Sequence, residues 1–159
     1  MGLVCATAIL LSYVEAMIPP IFSAVPGVKV GLPNIAVIYM LYTCGIREAT
    51  AVSVVRIAVV SMLFGNAMIF LYSVAGAILS LTVMGILKRL DFLSATAVSI
   101  AGAVSHNIGQ IIVAILVLKT VEIAYYIAVL AVTGTVAGLF VGLTAVLMLK
   151  RLPKKLFFK

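Results

Sequence analysis

The sequence predicts an all-α integral membrane protein, a bundle of six transmembrane helices forming one domain over residues 1–159. Composition is the first reason. Of the 159 residues, 65% are hydrophobic and 9% charged, with a mean hydropathy of +1.37, which is more apolar side chain than a water-soluble domain of this length could cover. The second reason is spacing, because apolar runs recur at lengths near the roughly 20 residues that cross a hydrocarbon core. The third is the placing of charge. Arg47, Lys88, Arg89 and the terminal Lys150, Arg151, Lys154, Lys155 and Lys159 follow the even-numbered runs, whereas the other connections carry only Lys29 and Lys119. Basic residues mark the cytoplasmic side, so a multi-pass plasma-membrane protein with both termini in the cytoplasm is expected. The net charge of +7 is then a matter of orientation and of contact with the lipid bilayer, and no nucleic-acid partner is needed to explain it.

The first span, Leu3 to Ile18, ends at Pro19-Pro20, through which a helix cannot continue. It has no basic leader and no cleavage site, so it reads as retained in the membrane. Ala8, Ser12 and Ala16 recur every four residues, a small-residue stripe that admits a close neighbour from this chain or a docking partner subunit. Glu15 lies near the outer end of the span, where a carboxylate is costly unless paired or wet, and a salt bridge is favoured over proton chemistry. Residues 19–33 hold Pro19, Pro20, Pro26, Gly27, Gly31 and Pro33, which suits a loop or re-entrant lid better than a straight span. Lys29 is its only charge, and Asn34 opens the next helix as its N-cap.

The second span, Ile35 to Cys44, is short and stops near Gly45. The third, Ala49 to Leu63, places Arg56 roughly 13 Å beyond Arg47 and so near the bilayer midplane. An arginine there costs several kcal/mol unless it is paired or solvated, which makes it the most informative charge in the chain. Glu15 or an anionic substrate would answer it. After the turn Phe64-Gly65-Asn66, the fourth span runs from Ala67 to Leu87 with a small face of Ser73, Gly76, Ala77 and Ser80, suited to packing or to leaving room for a ligand. The fifth, Ala95 to Leu118, carries the only histidine. The sixth, Glu122 to Leu149, has Gly134, Gly138 and Gly142 at intervals of four, a pattern for close helix packing, with Tyr125 and Tyr126 as interfacial anchors.

His106 and Gln110 lie one helical turn apart on the same face, and Asn107 is turned about 100° away. Hydrocarbon offers these groups no water, so they face protein, a cavity or a substrate. Helix-to-helix hydrogen bonds and a ligand site are balanced readings. The topology gathers Glu15, Gln110, Tyr72 and the 19–33 loop on the outer side, with Arg56 and His106 deeper. Cys5 and Cys44 read as reduced packing residues, no haem, iron–sulfur or metal ligand set is present, and no cofactor is expected.

Three stretches carry a resemblance: Pro26 to Asn34 (PGVKVGLPN), Val55-Arg56 with Phe64-Gly65-Asn66, and Ser99 to Gln110 (SIAGAVSHNIGQ). Over nearly its whole length the chain resembles a family of small bacterial membrane proteins that bears two labels, heptaprenyl diphosphate synthase component I and Gx transporter. More distantly the family looks like the S components of energy-coupling factor (ECF) vitamin importers. That likeness implies a substrate-binding subunit with six helices, a loop lid over an outward-facing site, and a helix stripe that docks a transmembrane subunit served by an ATPase pair. The docking pattern has Ser12 where alanine is usual. Carried over, the likeness implies a small-molecule site of Lys29, Asn34, Arg56, Asn66, His106, Asn107 and Gln110, with Ala8, Ser12 and Ala16 for docking.

The synthase label implies a different chemistry. Prenyl diphosphate synthesis of the common kind holds magnesium on two aspartate-rich clusters, and this chain has one aspartate, Asp91. No catalysis by this chain is therefore expected. Nor does it carry a phosphate-binding loop, so import would draw its energy from partners or from an ion gradient. The leading expectation is a substrate-capture subunit of an importer for an organic solute. The alternative is a non-catalytic membrane scaffold, or a quinone- or isoprenoid-handling subunit of a lipid-synthesis or redox complex. A proton-coupled carrier using Glu15 and His106 ranks third.

Overall fold

A computed structural model of the chain describes residues 1–17, 31–119 and 121–152. Among them stand six α-helices: α1 (Gly2–Met17), α2 (Asn34–Thr43), α3 (Ile46–Phe64), α4 (Ala67–Lys88), α5 (Ala95–Leu118) and α6 (Ile127–Arg151). The fold is all-α, as expected. By length and composition three helices can cross a membrane, namely α4, α5 and the segment Ile123–Arg151 that contains α6. The other three differ for plain reasons. α1 and α2 are apolar but shorter, and α3 carries Arg47, Glu48 and Arg56 within its 19 residues.

Local chemistry sets several ends. The side chain of Asn66 accepts a hydrogen bond from the Ile69 N–H and caps α4, and Ser94 does the same for α5 through the Ala97 N–H. The α2 start corrects the expectation for Asn34. Pro33 holds the cap position with helical backbone angles, and the Asn34 N–H bonds to the Gly31 carbonyl at 2.9 Å, so the Asn34 side chain is released for other contacts. The turn from α2 into α3 passes through Gly45, whose φ of 119° is open to glycine and strained for other residues. The sixth helix also begins later than expected, since Val121–Tyr126 forms a 3-10 turn before Ile127.

α2 is the centre of the fold. It packs on α1, α3, α5 and α6, and every residue from Ile35 to Leu41 is buried. A helix that is hydrophobic all round has no face to give to solvent and is placed in the interior. At ten residues it is about 15 Å long, roughly half the thickness of a hydrocarbon core, so it is better described as a buried plug than as a full span. Its C-terminal carbonyls lack helical partners, and Lys88 of α4 donates its ammonium to the Leu41 carbonyl while lying 5.4 Å from the Tyr42 ring centroid.

Around the plug, α5 is held tightly on two sides by glycine. A Cβ on Gly109 would meet the Ala75 carbonyl oxygen of α4 at 2.7 Å, and one on Gly138 of α6 would meet the Ile100 Cα at 2.6 Å. The glycine stripe of α6 is thus spent on packing against α5, as its spacing predicts. The α1 stripe is divided. Ala8 and Ser12 are buried within the chain itself, while Ala16 is exposed. Cys5 and Cys44 are free thiols that pack against the core.

Candidate functional site

A cavity of about 150 Å³ lies inside the bundle, toward the end where α1 and α3 finish and α2 and α4 begin. Asn34, Arg56, His106, Asn107 and Gln110, all expected as site residues, line it together, and so does Glu15. Residues from α1, α2, α3 and α5 converge although they lie up to 95 positions apart, from Glu15 to Gln110. Two expected members are not among the lining residues. Asn66 is exposed and is occupied with capping α4, and Lys29 lies outside the described residues. Most of the 19–33 lid lies outside them too.

Arg56 dominates the electrostatics. The residue is only partly buried because its side chain borders the cavity, yet its Nε is enclosed and has no hydrogen-bond acceptor among the described residues. Glu15 is the carboxylate whose field it feels. The expected salt bridge is replaced by a looser arrangement, because the Glu15 Oε1 accepts the Gly31 N–H and no direct ion pair joins the two among the described residues. The carboxylate therefore fastens the far end of the 18–30 connection to α1, and Arg56 keeps hydrogen-bonding capacity. A guanidinium has five donors in a fixed plane, so its unfilled directions point to a carboxylate, phosphate or carbonyl oxygen.

His106 and Gln110 share a face of α5 as their spacing predicts, with the Gln110 Nε2 and the His106 Nε2 3.2 Å apart. If the glutamine amide donates, that imidazole nitrogen accepts and the ring proton sits on Nδ1. Asn107 faces α6 instead, where its Nδ2 donates to the Leu130 carbonyl at 2.8 Å. Asn107 thus ties helices, while His106 and Gln110 form a hydrogen-bonded pair that borders the cavity.

Serines complete the lining. Ser61 and Ser73 border the cavity with Arg56, and the buried Ser99 has a hydroxyl without a partner among the described residues. Ser73 belongs to the small face read from α4, and Tyr72 beside it is not in the lining. Ser61 and Ser99 gave no sequence signal beyond being small polar residues in apolar helices. Among the described residues no three His, Cys, Asp or Glu side chains gather as a metal site.

The fold and cavity define a class: a helical protein, with three helices long and apolar enough to cross a membrane, whose interior cavity is lined by Arg56, Glu15 and neutral hydrogen-bonding side chains. The chain belongs to the family described as heptaprenyl diphosphate synthase component I, whose model matches residues 4–148. No curated protein and no solved structure matches it. The wider likeness to S components has no matched structure behind it.

Proposed function

We propose that this protein is a non-catalytic, ligand-binding membrane subunit of a larger assembly, and that its cavity takes a compact anionic or carbonyl-rich group. The observation that carries the reading is Arg56, whose enclosed Nε lacks an acceptor among the described residues and lies beside a cavity of about 150 Å³. An enclosed guanidinium nitrogen without an acceptor is costly, and a ligand oxygen would lower that cost. Ser99 on the cavity lining, His106 and Gln110 would fix the orientation of the bound group. The description of the family as a synthase component favours partner subunits in prenyl diphosphate synthesis, with this chain binding a substrate or product at the membrane.

A second reading, solute capture for an importer, is favoured by where the cavity lies. With the basic connections in the cytoplasm, the cavity end of the bundle faces outward, with Gly31 and Pro33 in its lining. In that reading an ECF-type transmembrane subunit and an ATPase pair supply the energy.

The test of the binding function is thermal unfolding of the purified protein with phosphate, pyrophosphate and small carboxylates. Stabilisation of the wild type but not of Arg56→Gln is expected, and no stabilisation by any anion would sink the reading. Isolation from the native membrane in mild detergent separates the two assemblies: co-purified prenyltransferase subunits support the first, and co-purified ATPases the second.

A further inference from the structure

The cavity is too small for the ligand of a typical small-molecule site. Such pockets enclose about 300–1,000 Å³, against about 150 Å³ here. The shortfall has a remedy next door. A second hollow of about 520 Å³ lies between α3 and α4, and Ile57 lines both. At the start of α4, Ile69 borders the cavity and its neighbour Phe70 borders the groove. Ile57 thus stands in the walls of both the polar cavity and the apolar groove.

The groove is largely apolar, its polar lining being Ser53 and two threonines. Its threonines are already satisfied, since Thr50 donates to the Ile46 carbonyl and Thr82 to the Ile78 carbonyl, each at 2.8 Å. Its outer wall carries Val54 and Ile78, both exposed, on helices with lipid as their natural surroundings.

We infer that the ligand is an anionic amphiphile, with its head at Arg56 in the cavity and an aliphatic tail lying in the α3–α4 groove past Ile57. This rests on the binding function proposed above and adds the tail. The head alone fits the cavity, and the tail takes the volume that the cavity lacks. The shared wall at Ile57 favours a tail of the same molecule as the groove's occupant. The amphiphile could come from solution or from the bilayer.

The experiment uses the full chain in phosphatidylcholine nanodiscs and measures binding of phosphate and of ethyl, butyl and hexyl phosphate, all soluble in water. Affinity should climb along the series by up to about fourfold per methylene buried. Ile78→Trp and Val54→Trp fill the groove from exposed positions that line the groove and not the cavity. They should flatten the series while leaving phosphate and ethyl phosphate binding unchanged. Doping the nanodiscs with phosphatidic acid distinguishes the source: displacement of hexyl phosphate supports a bilayer lipid, and undisturbed binding supports a free amphiphile. Equal affinity for ethyl and hexyl phosphate in the wild type would overturn the tail and leave the binding function intact. Failure of every member of the series, phosphate included, would overturn both.

Discussion

Gly76 of α4 lies flat against the imidazole of His106: a Cβ at residue 76 would stand 2.8 to 2.9 Å from three of the ring atoms. No real side chain tolerates that distance, so the absence of a Cβ on α4 is what allows the histidine to sit between the helices beside the cavity. Gly76→Ala is expected to displace the ring and to destabilise the protein by about 1–3 kcal/mol, the usual range for overfilling a packed interior. Thermal unfolding in detergent measures this, with Gly2→Ala as the control because nothing lies within 4 Å of that position. Equal melting temperatures for the two variants would show that His106 is free to move aside.

Asn107 and Gly134 form a similar pair across α5 and α6, but with a hydrogen bond added. A Cβ on Gly134 would meet the Asn107 Nδ2 at 2.8 Å, the same atom that donates to Leu130. Asn107→Ala should cost about 0.6–1.7 kcal/mol, the span seen for hydrogen bonds between membrane helices. Gly134→Ala should cost more than this in the wild type and distinctly less in an Asn107→Ala background, since the clashing atom is then gone. A double-mutant cycle on unfolding temperature reads the coupling, and strictly additive losses would contradict the contact.

How far the sequence disclosed this arrangement depends on whether a feature is local. α4 and α5 were legible as long apolar runs, while the capping roles of Asn66 and Ser94 came only from the structure. The spacing of His106, Asn107 and Gln110 also foretold which residues share a face, because helix geometry alone decides it. α2 was legible as an apolar helix but not as the centre of the bundle, since burial on all sides comes from four other helices closing round it. The Asn34 cap failed because Pro33 could itself occupy the cap position. The cavity was foreseen through its costly members, Arg56 and the histidine cluster. Ser61 and Ser99 escaped because a serine in a membrane helix usually satisfies itself on its own backbone, as Ser12 and Ser105 do here.

Lys88 is expected to be structural. Its ammonium reaches the Leu41 carbonyl, one of the last in the buried helix, where water has poor access. Lys88→Met leaves that carbonyl without its charged donor and should cost about 1.5–3 kcal/mol. Ligand binding at the other end of α2 should be little changed. Thermal unfolding and anion titration on the same sample separate the two effects, and a loss of binding with no loss of stability would assign Lys88 to the site instead.

Glu15 and Arg56 should respond to substitution in opposite directions. Glutamine at position 15 keeps an oxygen to accept the Gly31 N–H, so the tether survives while the negative charge disappears. If the cavity receives an anion, Glu15 repels it, and Glu15→Gln should tighten anion binding by about tenfold, as befits removal of a like charge screened by an effective dielectric near 20. Arg56→Gln should abolish binding with little loss of stability, because the cation it removes has an enclosed Nε that meets no acceptor among the described residues. A purely structural pair would behave otherwise: each single substitution would strand the opposite charge and destabilise by about 3–5 kcal/mol, and the double substitution would restore stability. Unfolding temperatures and anion affinities of the two single variants and the double variant decide between a site that awaits its ligand and a charge pair that holds two helices.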